Sequence, residues 1–195
     1  GGDDLMQKYE ELDPRFRQTA TYHGQPWNST DNLSMDMSQT GNDKCITGQY
    51  MHKPVPLSVS RRDNVQVEPK GCIFRLAEFY LSYAEALNEI SYSNLQNSEA
   101  LVALNAVHTR AGLSPILITE LPDQDSFRNA IMLERQQEFP YEGQRWFDLV
   151  RMGGAKEAMK AEGHIIQDYQ FLYPIPKTEL ERINNTELLW QNTGY

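Results

Sequence analysis

Between Ile73 and Gly112 apolar residues recur twice at helical spacing. Leu76, Phe79, Tyr80, Tyr83, Leu87 and Ile90 fall three and four apart, which aligns them along one side of an α-helix, while Ala84 and Ala86 keep that helix slim. After a break, Ser98 supplies an N-cap, Leu101, Leu104, Val107 and Ala111 make a second stripe, and Gly112 is a natural stop. Two antiparallel helices of this length with alanines at the contact form an αα-hairpin like one tetratricopeptide repeat, and one pair does not establish an array. Helical spacing alone assigns the aromatic stripe Phe79, Tyr80 and Tyr83 to the core.

The stretch ERQQEFPYEGQRWFDLVR, residues 134–151, is denser in chemistry than the rest. A third helix is expected to start near Asp125 or Ser126 and to carry Phe127, Ala130 and Ile131 inward. At the same spacing that stripe continues into Glu134 and Glu138. Carboxylates facing a core stay ionised only with partners, since desolvation costs several kcal/mol per ion. Pro140 should end the helix near Phe139, and a fourth helix after Gly143 runs through Trp146, Phe147, Leu149 and Val150 to Gly153 and Gly154. The expectation is a buried ion-pair network in which Arg135, Arg145 and Arg151 hold Glu134 and Glu138. The competing reading is a glycosidase dyad of Glu134 with Glu138, or with Glu142, at the separation such chemistry needs. Arginines beside the acids favour the network, because they hold the carboxyls ionised and remove the general acid.

The first 72 residues read differently. Residues 3–12 can form a short helix ended by Asp13-Pro14, residues 24–44 are a long turn-rich loop, and residues 47–60, with Pro54 and Pro56, read as an edge or non-sheet strand. Trp27 stands outside any periodic element, beside Asn28, Asp31 and Asn32 and near Tyr22. An indole among amides and a carboxylate suits a sugar, whose ring face stacks while its hydroxyls hydrogen-bond. Trp27, Tyr22, Asn28, Asp31 and Asn32 are therefore the glycan-binding candidates; the alternative is that Trp27 plugs the loop onto the core. Near the end, FLYPIPKTEL reads as an extended segment leading to a Thr178 cap, with Glu181 at the capping-box position.

Several functions are disfavoured. A net charge of −9 argues against nucleic acid, since counterion release needs a basic surface. No apolar run reaches membrane-span length, and residues 1–11 do not resemble a signal peptide. His23, His52, His108 and His164 are scattered, so no metal site is expected, and neither a serine-hydrolase elbow nor a phosphate-binding glycine loop is present. No cofactor is implied. Cys45 and Cys72 read as buried thiols, although one disulfide is conceivable in an oxidising compartment.

Five stretches together resemble the SusD/RagB family: DPRFRQT at 13–19, FRLAEFYLSYAEALNE at 74–89, LNAVHTRAGL at 104–113, ERQQEFPYEGQRWFDLVRMG at 134–153 and the closing YPIPKTELERINNTELLWQNTGY. His108 stands where the family often has Arg, Pro140 interrupts the stretch from Glu134-Arg135 to Glu142-Gly143, and Thr186 and Thr193 replace common prolines. The resemblance implies a mainly α, SusD-like helical fold with a tetratricopeptide-like helix pair, long loops and a few short strands. It also implies that residues 1–195 are the C-terminal portion of a longer protein, with 1–72 loop-rich and 73–195 helical. The implied function is non-catalytic capture of glycan at the cell surface and its delivery to a SusC-like TonB-dependent transporter. Membrane attachment would run through an outer-membrane lipid anchor that lies outside this chain, so neither Cys45 nor Cys72 is that anchor. Peptide capture, a glycoside hydrolase and a helical scaffold that binds only protein are the alternatives.

Overall fold

A computed structural model describes residues 9, 11–26, 49–53, 55, 71–90, 92 and 96–195. The chain forms two compact units, Gly1–Arg145 and Trp146–Tyr195. This division differs from the compositional one at residue 72, because the turn-rich start and the long helices share the first unit.

The first unit begins with a short helix α1, Phe16–Thr19, which leads into β1, Ala20–Thr21. Strand β2, Tyr50–Met51, pairs antiparallel with β1, with Ala20 opposite Met51 and Thr21 opposite Tyr50. Three longer helices follow: α2, Leu76–Ile90; α3, Gln96–His108; and α4, Gln124–Glu138. Helix α2 packs on both α3 and α4. Ser98 lies inside α3 and not at its cap. Helix α4 starts before the expected site because Asp123 is the cap: its Oδ1 accepts from the Ser126 amide at 2.8 Å, and the Ser126 hydroxyl oxygen accepts from the Asp123 amide at 3.1 Å. It stops at Glu138, with Phe139 as C-cap, where Pro140 can no longer donate.

The core is built from Leu81, Leu104, Val107, Phe127 and Ile131, with Ala77, Ala84, Ala100 and Ala103 at the helix contacts. Each large apolar side chain that is fully buried contributes about 1.5–3 kcal/mol, and the alanines let the backbones approach closely enough to bury them. The buried face of α2 is not the expected one. Ala77, Leu81, Ala84 and Asn88 turn inward, whereas Leu76, Phe79, Tyr80, Tyr83 and Ile90 are exposed. Asn88 ties α2 to the start of α4: its side chain donates to the Gln124 carbonyl at 3.0 Å, and Gln124 Nε2 donates to the Asn88 carbonyl at 2.7 Å.

Helix α5, Arg145–Arg151, begins at the last residue of the first unit, and the second unit holds α6, Ala155–Ala161, and α7, Lys177–Ile183. Its rings pack on one another, Trp146 stacking with Phe171 and Tyr169 meeting Tyr195 edge-on. Pro176, not Thr178, is the N-cap of α7. The extended segment before α7 is fastened by side chains that stand in for a β-partner. Gln191 Oε1 accepts from the Ile175 amide at 2.7 Å, Gln191 Nε2 donates to the Ile175 carbonyl at 3.0 Å, and Asn192 donates to the Tyr173 carbonyl at 2.6 Å. Among the described residues no helix is long and apolar enough to cross a membrane.

Candidate functional site

Glu134 and Glu138 lie on the buried stripe of α4, at 2% and 4% exposure. Their partners come from three other places in the first unit. Arg15, in the turn before α1, sends Nη1 to Glu134 Oε1 at 2.5 Å and to Glu138 Oε2 at 2.9 Å. Nε and Nη2 bind Asp13 at 2.9 and 2.6 Å, and Nη2 also donates to Gln137 Oε1 at 3.2 Å, so the guanidinium is shared among three carboxylates and an amide. Arg75, just before α2, pairs with Glu138 and grips Glu142 with Nε at 2.8 Å and Nη2 at 2.9 Å. Arg110, beyond α3, pairs with Glu138, and His108 Nδ1 sits 2.7 Å from Glu134 Oε2. Lys53 pairs with Glu142 and donates to the Glu138 carbonyl at 2.5 Å.

Burial alone pushes the Glu138 carboxyl upward, but hydrogen bonds from Arg75 and Arg15 and the charges of Arg75 and Arg110 outweigh it and hold the group below its ordinary range. Asp13 is lowered in the same way: burial opposes the shift, and the hydrogen bonds and charge of Arg15 win. Arg15 and Arg75 are raised, since the carboxylates around them more than offset their own desolvation. A carboxyl held ionised by two arginine hydrogen bonds has no proton to give a leaving group.

The partners differ from those expected from the sequence. Arg135 is buried, donates to Gln144 at 3.0 Å and lies over the Phe139 ring, 5.2 Å from its centroid. Arg145 has no ion pair among the described residues. Arg151 bonds Asp148 on its own helix, at 2.8 Å. The network thus joins α4 to the segments before α1 and α2 and after α3. Proximity along the chain made Arg135, Arg145 and Arg151 the obvious donors, but each is directed elsewhere or unpaired. A better signal lay in the motifs themselves, because Arg15, Arg75 and Arg110 each stand in one of the quoted stretches.

Of the glycan candidates, Trp27, Asn28, Asp31 and Asn32 lie outside the described residues. Tyr22 is buried, its ring stacked on Tyr9 at 4.4 Å and on Phe16 at 5.7 Å, so protein groups and not a ligand occupy its faces. Cys72 is exposed and free, which corrects the buried reading; its Sγ lies 3.1 Å from the Phe74 carbonyl. Cys45 lies outside the described residues. Among the described residues no cluster of His, Cys, Asp and Glu could hold a metal ion. The second unit has one feature the sequence reading overlooked. A shallow concavity of about 580 Å³ is lined by Trp190, Asn184, Asn185 and Glu187, with the indole largely exposed. The run WQN, with two more asparagines six and five residues earlier, carried that signal.

The model of the SusD family matches residues 1–171. The chain belongs to the SusD family. Among curated relatives, SusD-like protein P2 of Formosa agariphila is 37% identical over 131 residues, covering 62% of this chain and 25% of the relative. SusD-like protein P38 of the same organism is 30% identical over 130 residues, covering 61% of this chain and 25% of the relative. The chain therefore spans about a quarter of the length of the SusD-like relatives it matches. Among solved structures, a SusD-like protein from Bacteroides fragilis matches with a TM-score of 0.78 at 24% identity, over 98% of this chain and 40% of that one. Surface glycan-binding protein A from Bacteroides thetaiotaomicron, in complex with laminarihexaose, matches with a TM-score of 0.64 at 24% identity, over 97% of this chain and 40% of that one. The mainly helical fold is thus a SusD-like one.

Proposed function

We propose that this chain is part of a non-catalytic cell-surface receptor that binds an oligosaccharide or polysaccharide and delivers it to a TonB-dependent transporter in the outer membrane. The observation that carries the reading is membership of the SusD family, together with a fold shared with a protein whose structure holds laminarihexaose. On this reading a lipid anchor elsewhere in the protein holds it at the outer-membrane surface. Trp27 provides the stacking platform, with Asn28, Asp31 and Asn32 as hydrogen-bonding groups; Tyr22 is withdrawn from that set because its ring is buried.

Glu134 and Glu138 have a structural role in this account. A hydrolase reading would need one of them protonated, and the arginines on Glu138 work against that. Isothermal titration of the complete protein against a glycan panel that includes laminarihexaose tests the proposal. Binding without release of reducing sugar is expected, and Trp27→Ala should weaken it by about 1–3 kcal/mol, the scale of losing a stacked aromatic anchor. Recovery of the transporter in a pull-down with no glycan bound would favour the protein-only scaffold, and sugar release abolished by Glu138→Gln in a folded protein would favour the hydrolase.

A further inference from the structure

The rings of the second unit pack on one another with one exception. Trp146 stacks on Phe171 and Tyr169 meets Tyr195, whereas Trp190 makes no ring contact among the described residues and is 66% exposed. Its Nε1–H, which can only donate, has no acceptor among the described residues. The backbone that carries this indole is nonetheless fixed. The next residue, Gln191, is tied to Ile175 through both ends of its amide at 2.7 and 3.0 Å, and Asn192 donates to the Tyr173 carbonyl at 2.6 Å.

On the other side of the concavity the turn from Asn184 to Leu189 closes on itself. The Leu188 and Leu189 amides donate to the Asn185 carbonyl at 3.2 and 3.0 Å, and the Glu187 amide donates to Asn185 Oδ1 at 2.9 Å. Asn184, which ends α7 at a φ of +44°, donates its amide to the Leu180 carbonyl at 2.8 Å. The backbone of the rim is thus satisfied internally, while the side chains of Asn184, Thr186 and Glu187 have no partner among the described residues. Unpaired polar groups on a fixed rim beside an uncovered indole make a surface already arranged for a ligand.

The lining narrows what that ligand is. A volume of about 580 Å³ lies within the roughly 300–1,000 Å³ of small-molecule sites. Among the described residues no lysine or arginine lines the concavity and Glu187 repels anions, which disfavours phosphate, sulfate and uronate. A quaternary ammonium calls for a cage of aromatic rings, and Trp190 is the one ring in this lining. A neutral sugar fits: its apolar face stacks on an indole, and its hydroxyls pair with amides and a hydroxyl that both donate and accept. We propose that the Trp190 concavity is a second carbohydrate subsite, in which a neutral hexopyranose stacks on the indole and is hydrogen-bonded by Asn184, Thr186 and Glu187. It rests on the glycan-capture reading but not on the same residues, since Trp27 belongs to the first unit and every residue named here to the second.

Fluorine NMR of the complete protein labelled with 5-fluorotryptophan tests this, the Trp190 resonance being identified by its loss in Trp190→Phe. The titrants are laminarihexaose and the methyl glycosides of glucose, galactose and mannose, with glucuronate and tetramethylammonium as charged controls. At least one neutral sugar should shift the Trp190 resonance saturably, equally so in Trp27→Ala, and neither control should. In the Trp27→Ala background, Trp190→Ala should weaken the remaining binding by about tenfold or more in isothermal titration, and Thr186→Ala by a smaller factor. A Trp190 resonance that no neutral sugar moves overturns the inference. If isothermal titration of the same protein then still detects glycan, capture through another site stands without this one; if it detects none, both readings fail. A shift that disappears in Trp27→Ala overturns it too, as does a stronger response to either charged control. An indole that a soluble paramagnetic quencher cannot reach in the complete protein has the same consequence.

Discussion

The ion pairs around Glu138 and those along α7 use the same side chains in opposite settings. In the first unit Glu134 and Glu138 are out of water and share Arg15, while Arg75, Arg110 and His108 close the remaining sides. In the second unit Arg182 pairs with Glu179 at 2.6 Å and Lys177 with Glu181 at 3.5 Å, on a helix whose charged groups face solvent. A surface pair gains little because water competes for both partners, whereas a buried group left without its partner suffers the full desolvation penalty. The two sets therefore differ in what their loss does. Breaking the first strands charges in the interior; breaking the second returns them to water.

The largest expected effect follows from that asymmetry. Arg15→Ala leaves Glu134 without one of its two partners and frees Asp13, and should cost about 3–5 kcal/mol in urea unfolding, the range for breaking a buried pair from one side. A cost below 1 kcal/mol would show that the cluster is hydrated and the contrast with α7 unfounded. Acid should expose the same difference. Because the folded carboxyls of Glu138 and Asp13 are lowered, their contribution is fully present above the ordinary carboxyl range and is lost as pH falls through the folded values. Stability measured from pH 7 downward should hold until about pH 5 and then drop, with a shallower drop in Glu138→Gln.

The second unit depends more on shape. Gly194 has a φ of +103°, and a Cβ there would run into the Tyr169 ring that packs edge-on against Tyr195. Gly194→Ala should therefore cost about 1–3 kcal/mol, read as lost near-ultraviolet dichroism of the tyrosines. Arg182→Ala should cost about 0–1 kcal/mol by the same denaturation assay. If the order of these two were reversed, charge and not ring packing would be holding the unit.

Local spacing made the helices legible; it did not reveal which way they face. The periodicity of α2 is real, but both sides of that helix are apolar, and the eye follows Phe79 and Tyr83 because they are large. The core prefers Ala77 and Ala84, since small residues let α2 approach its neighbours. The acidic stripe of α4 was readable from Glu134 and Glu138 continuing Phe127 and Ile131. Its partners were not, because Arg15 is 119 residues away from Glu134 and no local rule links them. They were nonetheless marked indirectly: the DPR, FRLAE and HTRAGL stretches each deliver one arginine to the same cluster.

Arg145 gives the smallest and most discriminating prediction. Sequence proximity places it opposite Glu134 and Glu138, as a clamp across the bend at Pro140 to Gly143. In the structure the two acids are already satisfied by Arg15, Arg75, Arg110 and His108, and Arg145 has no ion pair among the described residues. Arg145→Ala should then change stability by no more than about 0.5 kcal/mol, as for a surface substitution away from special features. The double variant Arg15→Ala/Arg145→Ala should cost no more than the sum of the singles, since the two side chains share no partner. A cost for Arg145→Ala approaching that of Arg15→Ala, or coupling between them above about 0.5 kcal/mol, would mean that the acids take their charge balance from the neighbouring helix after all.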